Sequence, residues 1–322
     1  MRYRPLGKTG LTVSEIGFGA WGIGGRTVGN TSYGATDDQV SLAALERALG
    51  QGITFFDTSS AYGEGRSEEL IGQAFAGKRQ HVVIGTKAGY ASWDRPPDFS
   101  PDAVVASAEA SLRRLRSDYV DLLQLHNPPA EALRPPPLRQ ALGRLQQAGK
   151  IRAWGVSAKS PAEAIEALTG FGASVVQANF NMMDVRAATG GLFDEVSRRG
   201  AGFIARTPLC FGFLAGTITR QTEFGPGDHR NGWSRAQLDH WIDGATDLLQ
   251  AVGAAPGAAG AQSALRFCLS FAAVSTVIPG ILTPDEAVQN ARASAAGPLD
   301  AAVLADVLAI NGRRQFFLEA TA

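Results

Sequence analysis

Short apolar runs alternate along this chain with longer amphipathic ones. The strand-like runs are Glu15–Gly19, Ile53–Asp57, Val82–Lys87, Val120–His126, Ala153–Ser157, Ser174–Asn179, Gly202–Arg206 and Val274–Ile278. Helical periodicity falls between them, at about 37–50, 67–76, 101–116, 134–148, 161–170, 189–199, 261–271 and 284–296, with an additional segment near 234–252. Each strand is followed by a helix, a pattern that predicts parallel strands joined by crossover helices. Helix starts are expected at Ser67 before Glu68-Glu69, at Ser100-Pro101 and at Ser160-Pro161, since a hydroxyl caps the first free N–H groups and Pro suits the first helical position. Gly50, Gly149, Gly170 and Gly200 stand where a left-handed residue ends a helix. Eight such units without an evident linker predict an α/β fold: a single-domain (β/α)8 TIM barrel over residues 1–322, with a C-terminal tail from about 297. The stretch Gly17-Phe18-Gly19-Ala20-Trp21-Gly22 is only a weak dinucleotide-loop signal.

Composition narrows the occupation of this fold. Thirty Lys plus Arg balance thirty Asp plus Glu, and 45% of residues are apolar, which describes a soluble globular protein with no basic footprint for nucleic acid. Cys210 and Cys268 are too few for a disulfide framework and lack zinc spacing, so reduced, buried thiols and no metal are expected. Met1-Arg2-Tyr3-Arg4-Pro5 is not followed by an apolar run, and no signal peptide is predicted. The uncharged stretches 248–265 and 267–284 are Gly/Ala/Pro-rich or broken by Pro279-Gly280, and neither reads as a membrane span. A cytoplasmic protein is expected, monomer or homo-oligomer.

In a barrel of this kind chemistry gathers where the strands end. Asp57, Lys87 and His126 close the second, third and fourth strand runs, and Tyr62 follows Asp57 in its loop. Taken singly, Asp57 is a turn cap and His126 a core imidazole as readily as anything else, but a lysine ending an apolar strand calls for a partner. Neighbouring strands lie about 5 Å apart, so the four side chains come within mutual reach. A phenol titrates near ~10. Lys87 is expected to lower that value for Tyr62, Asp57 to keep Lys87 charged, and His126 to donate a hydrogen bond to a carbonyl oxygen. The set is a proton donor for a carbonyl becoming an alcohol; as protein side chains offer no hydride, a nicotinamide cofactor is implied.

The run Asp57-Thr58-Ser59-Ser60-Ala61-Tyr62-Gly63-Glu64-Gly65-Arg66-Ser67-Glu68 resembles a signature of the aldo-keto reductases. Thr86-Lys87, Asp118–His126, Gly149–Ser157 and Val277-Ile278-Pro279-Gly280 extend the resemblance from about residue 3 to 296. It implies a (β/α)8 barrel holding NAD(P)H in extended form, with Asp57, Tyr62, Lys87 and His126 as the catalytic tetrad. By the same resemblance Ser157 and Gln177 hold the nicotinamide carboxamide, and Arg206 takes the place of the side chain that stacks on its ring. Thr207-Pro208-Leu209 and Gly212–Gly216 look like the loop over the diphosphate, while Gln289 and Asn290 read the adenine. Trp21, Asp57, Ile278 and Gly280 complete the expected cofactor contacts. Trp21, Tyr90 and Trp93 are expected to wall the substrate, a small carbonyl compound and in one version a sugar.

Two positions depart from the family pattern. Ala158 stands where relatives often carry Asn, removing one carboxamide partner. Ile281-Leu282 replaces the Arg or Lys that grips the 2′-phosphate of NADP(H), and Glu286 is placed to accept from a free ribose hydroxyl. NADP(H) is the family's usual cofactor; Leu282 and Glu286 suggest NAD(H), with Arg292 the one cation left to reach a phosphate. Residues 219–233 read as a cover over the site, and His229 within them as structural. The expected activity is interconversion of an aldehyde or ketone with its alcohol, Tyr62 being general acid or base. The alternatives are a weakly catalytic, cofactor-sensing regulatory subunit of the same fold, and a lyase using Lys87 as a Schiff-base amine, which a neighbouring Asp57 disfavours.

Overall fold

A hairpin that the periodicity does not announce opens the chain: β1 (Tyr3–Pro5) and β2 (Thr12–Ser14) pair antiparallel, Tyr3 opposite Ser14. Its turn and flanks bring Leu6, Leu11 and Val13 against Phe55, Leu122, Val175 and Ile204, plugging the barrel at the strand N-termini. Strands of three residues are too short to show a period of two.

The computed structural model describes residues 1–29 and 31–318. Among them, eight further strands run parallel in chain order: β3 (Phe18–Gly19), β4 (Phe55–Asp57), β5 (Val83–Ala88), β6 (Val120–His126), β7 (Ile151–Ser157), β8 (Val175–Asn179), β9 (Gly202–Arg206) and β10 (Thr276–Ile278). The cylinder closes where Ile16 bridges Val277 and Gly19 bridges Gly280, with Gly19 N–H donating to Pro279 O at 2.8 Å. Only glycine fits this seam, because a Cβ on Gly19 would lie 2.8 Å from the carbonyl oxygens of both Ile278 and Pro279. Alternation sorts each strand's residues: in β6, Leu122 packs on the hairpin plug whereas Leu123 and Leu125 join the layer beneath the helices.

Around the barrel lie α1 (Asp38–Gly50), α2 (Arg66–Ala74), α3 (Pro101–Arg114), α4 (Ala130–Leu133), α5 (Pro136–Gln147), α6 (Pro161–Glu166), α7 (Arg186–Thr189), α8 (Leu192–Arg199), α9 (Arg235–Ala251), α10 (Ala258–Leu269), α11 (Pro284–Ala296) and α12 (Ala301–Arg313). Ser100 caps α3, and Ser160 caps α6 in a reciprocal box with Glu163. Ser67 does not cap α2. The helix starts before it, after left-handed Gly65, and the Ser67 hydroxyl instead donates to Ala20 O at 2.8 Å. Gly149 and Gly200 are left-handed as expected, but beyond α1 and α6 the role falls to Gly52 and Gly172 rather than Gly50 and Gly170. Of the helix expected over 189–199, Leu192–Arg199 forms α8 after left-handed Gly191, and Thr189 instead ends the short α7. Residues after 297 build α12, which packs on α9 and holds Met182 O through Asn311 Nδ2 at 2.5 Å.

Cys210 and Cys268 are buried free thiols whose pKa burial pushes up. Among the described residues no single helix is long and apolar enough to cross a membrane, and no group of three His, Cys, Asp or Glu side chains is placed to hold a metal.

Candidate active site

The carboxyl ends of β4, β5, β6 and β8 bring one polar cluster together. Parallel register sets Asp57 opposite Gly85, Lys87 opposite Gln124, His126 opposite Ser157 and Ser157 opposite Gln177. Lys87 is fully buried, yet its ammonium has an acceptor for each of its three protons: Asp57 Oδ1 at 2.5 Å, Thr58 O at 2.9 Å and Tyr62 Oη at 3.1 Å. The other oxygen of Asp57 accepts from Gln124 Nε2 at 3.1 Å and Gln177 Nε2 at 2.8 Å. A buried carboxylate is tolerable only when paired and hydrogen-bonded in this way. His126 Nδ1 lies 3.1 Å from Ser59 Oγ, and its ring stands edge-on to Tyr62 with centroids 5.9 Å apart.

Tyr62 is aimed by the backbone that follows it. Gly63, Glu64 and Gly65 take φ of 60°, 54° and 97°, a left-handed run that turns the loop into α2. A Cβ at Gly63 would lie 2.1 Å from Gly24 O, so the loop after β3 braces the loop carrying Tyr62. The rest of the Asp57–Glu68 motif anchors this arrangement. Ser60 Oγ reaches Lys87 O and Tyr90 O, Thr58 Oγ1 donates to Ser67, and Glu68 is held by Thr86 and Arg114.

Burial corrects one expectation about these groups. It raises Tyr62 above its ordinary 10.0, outweighing the downward pull of Lys87, so the phenol is not acidified in the resting site. For Lys87 burial alone would favour the neutral amine, but Asp57 and Tyr62 reverse that and the ammonium is stabilised. His126 is pushed well below 6.5 by burial and then by the Lys87 and Arg206 charges, which keeps the imidazole neutral. The cluster therefore presents a protonated phenol, a cation behind it and a neutral imidazole beside it.

A cavity of about 640 Å³ opens over this cluster, within the usual range of ligand pockets. Tyr62, His126, Asp57, Gln177 and Arg206 border it, and so do Trp21, Thr207, Pro208, Leu209 and Gly212. It continues to Ile278, Gly280, Glu286, Gln289 and Asn290 at the start of α11. Ser157 and Gly216 are not on its wall; Ser157 acts on it only through Gln177 Oε1, 3.4 Å away. Of the aromatic residues, Trp21 and Trp93 line the cavity, whereas Tyr90 stands behind them, its ring 5.1 Å from Trp93 and 5.5 Å from His126. Glu286 Oε2 accepts the Leu282 and Thr283 N–H groups at 2.6 and 3.1 Å, so this oxygen is committed to capping α11 rather than free for a ribose.

Tight turns build the remaining wall. Thr207, Cys210, Phe211 and Gly212 all have positive φ, three of them without the freedom of glycine, and the Cys210 and Gly212 N–H groups donate within the segment, to Thr207 O and Leu209 O, both at 3.0 Å. The start of α10, at Gly257 and Ala258, borders the same space. The expected cover is tied down: Asp228 bridges to Ser32 and Tyr33 in the loop after β3, and Arg230 pairs with Asp228 at 2.7 Å while lying over the Tyr33 ring. His229 packs against Trp21 and Tyr33, where burial lowers its pKa to about 4.

Sequence reasoning missed Gln124, Ser59, Asn127, Tyr33, Phe211 and Arg230. Gln124 had a signal, being a lone amide in an apolar strand two residues before His126 and hence on the same face. Ser59 sat inside the quoted motif but only its distance from His126 gives it meaning. Tyr33 and Arg230 meet through loops with no shared periodicity.

The family model described as Aldo/keto reductase family matches residues 15–311. Among known proteins the chain is similar to aldo-keto reductase YhdN of Bacillus subtilis (strain 168), 35% identical over 244 residues, covering 72% of this chain and 69% of that one. It is 30% identical over 315 residues to a probable voltage-gated potassium channel subunit beta of Oryza sativa subsp. japonica, covering 93% of each. The solved structure of aldo-keto reductase AKR11C1 from Bacillus halodurans in its holo form matches with a TM-score of 0.79 and 26% identity over 96% of each chain. On these likenesses and the barrel described above, the chain belongs to the aldo/keto reductase family of NAD(P)-dependent oxidoreductases.

Proposed function

We propose that this protein reduces a small aldehyde or ketone to its alcohol, with Tyr62 giving the proton to the carbonyl oxygen. The observation that carries this reading is the 3.1 Å contact between Lys87 Nζ and Tyr62 Oη beneath a cavity that His126 also lines. Lys87 donates to Oη, which leaves the phenolic hydrogen free to point into the cavity. A bound reduced nicotinamide supplies the hydride. As the carbonyl oxygen gains charge, Tyr62 transfers its proton, and the phenolate left behind is stabilised by the ammonium already in place. Asp57, Gln124 and Gln177 keep that ammonium charged and fixed.

His126 orients the carbonyl. Ser59 Oγ accepts the Ala61 N–H at 3.2 Å, and the only other polar atom within its reach among the described residues is His126 Nδ1. A buried hydroxyl hydrogen needs an acceptor, so Ser59 donates to Nδ1 and the imidazole hydrogen resides on Nε2. Ser59→Ala removes that constraint. We expect kcat to fall about tenfold with little change in KM, the scale of one lost hydrogen bond; steady-state kinetics with an unchanged kcat would discard the assignment.

Leu282 borders the cavity where a cation would meet a 2′-phosphate, and Arg292 is exposed and off the wall. NADH is therefore expected to bind within about tenfold of NADPH, and Leu282→Arg to shift the ratio toward NADPH by about tenfold, one charge-assisted contact. Fluorescence titration with both cofactors measures this; a hundredfold preference for NADPH in the unaltered protein defeats it.

A second reading, a regulatory subunit that senses cofactor, is favoured by the similarity to the channel subunit over nearly the whole chain. Following reduced-cofactor absorbance with a panel of aldoses, aromatic aldehydes and short ketones decides between the two. Turnover supports the reductase, and tight cofactor binding without turnover supports the sensor.

A further inference from the structure

Three buried polar atoms without partners belong to residues around His126. They are Nε of Arg206, Nε1 of Trp93 and Oδ1 of Asn127. All three residues line the cavity. Asn127 follows His126 directly, held at a φ of 51°, and the Trp93 ring stands 5.3 Å from the imidazole at 75°. Buried polar atoms are nearly always satisfied, and a set left open around one reactive group marks a ligand's place.

Arg206 is the strongest member of this set. Its guanidinium makes one protein contact, Nη2 to Ala158 O at 3.1 Å, and has no carboxylate within ion-pair distance among the described residues. The acids whose charge reaches it are already engaged. Asp57 holds Lys87, Asp184 holds Arg186 at 2.6 Å, and Glu163 Oε2 accepts the Lys159 and Ser160 N–H groups at 2.8 and 3.2 Å. Arg206 is thus left as a buried cation with no ion-pair partner among the described residues, a costly arrangement in a desolvated place until an anion arrives.

We propose that the substrate carries an anionic group beside its carbonyl, a carboxylate or a phosphate, whose oxygens accept hydrogen bonds from Arg206 Nε–H and Trp93 Nε1–H. A hydroxyl on the same short chain donates to Asn127 Oδ1. The assignment rests on the carbonyl-reductase reading above and names its substrate class: small anionic aldehydes and ketones in place of neutral sugars or flat aromatic carbonyls.

Matched pairs test it at saturating reduced cofactor: glyoxylate against acetaldehyde, and glyceraldehyde 3-phosphate against glyceraldehyde. The charged member of at least one pair is expected to have a kcat/KM at least about tenfold higher, mainly through KM, and the pair that responds tells carboxylate from phosphate. Arg206→Met is expected to collapse that ratio to within about twofold; because the ratio is internal to each variant, a general loss of activity does not imitate the result. Trp93→Phe, which deletes only the N–H, serves if the Arg206 variant fails to fold, and is expected to reduce the ratio about threefold. Equal kcat/KM within both pairs overturns the anionic assignment and leaves the reductase reading intact. A preference that survives Arg206→Met while cofactor affinity falls in a binding titration also overturns it, making Arg206 a cofactor residue alone. No turnover of any member, with turnover of an aldose, aromatic aldehyde or ketone from the panel above, overturns the anionic assignment alone; no turnover of any compound removes both readings.

Discussion

Tyr62→Phe is expected to lower kcat for carbonyl reduction by about a thousandfold, within the range for loss of a positioned general acid. Phenylalanine keeps the ring's edge-on contact with His126 and loses only Oη, whose one hydrogen-bond partner among the described residues is Lys87. Cofactor affinity, measured by fluorescence titration, is expected to change less than about twofold. The pH profile of the unaltered protein carries the same assignment. Burial holds the Tyr62 pKa above 10.0 and that of His126 well below 6.5, so neither group changes charge through the neutral range. A reduction rate that is level from about pH 6.5 to 9 and declines only as the phenol ionises is the expected result. A Tyr62→Phe variant with unimpaired kcat, or a fall in rate centred near neutrality, would remove Tyr62 from the reaction.

Lys87→Met is expected to cost both turnover and stability. Without the ammonium, the phenolate formed in proton transfer loses the cation hydrogen-bonded to it, and kcat is expected to fall at least about a hundredfold. Asp57 would then be a buried carboxylate facing only Gln124 and Gln177, and removing one partner of such a pair typically costs about 3–5 kcal/mol. Denaturant unfolding measures that loss. The double variant Asp57→Asn/Lys87→Met carries no stranded charge, so most of the stability is expected to return while activity stays low. If the double variant is no more stable than Lys87→Met, the ion pair is not what balances the burial of either group.

The barrel was legible because its strands and helices differ sharply in period, and each β-to-α unit repeats that contrast. The Asp57–Glu68 stretch was legible as a motif for a related reason: loop geometry there demands particular residues, glycine at 63 against Gly24 O and hydroxyls at 58, 60 and 67 with fixed acceptors. What escaped depends on distance rather than pattern. The β1–β2 hairpin is too short for periodicity, α12 follows a break at Gly297 and reads as a tail, and Ser67 looks like a cap until Ala20 O is seen beside it. The direction of the Tyr62 shift escaped as well. Charge pairing can be guessed from residue types, but the depth of burial that outweighs it is a property of the assembled barrel.

The seam between β3 and β10 has a consequence for biosynthesis. The strands that close the cylinder lie far apart in sequence, and Arg2 N–H even bonds to Ser294 Oγ, 292 positions away. Contacts so distant in sequence form late and slowly. Until residues 258–296 have been synthesised, β3 and β9 both present unpaired edges and the wall built by α10 and α11 does not yet exist. A nascent or truncated chain that lacks this segment would offer chaperones open sheet edges and apolar surface, and the cavity gains its full wall only once α11 is in place.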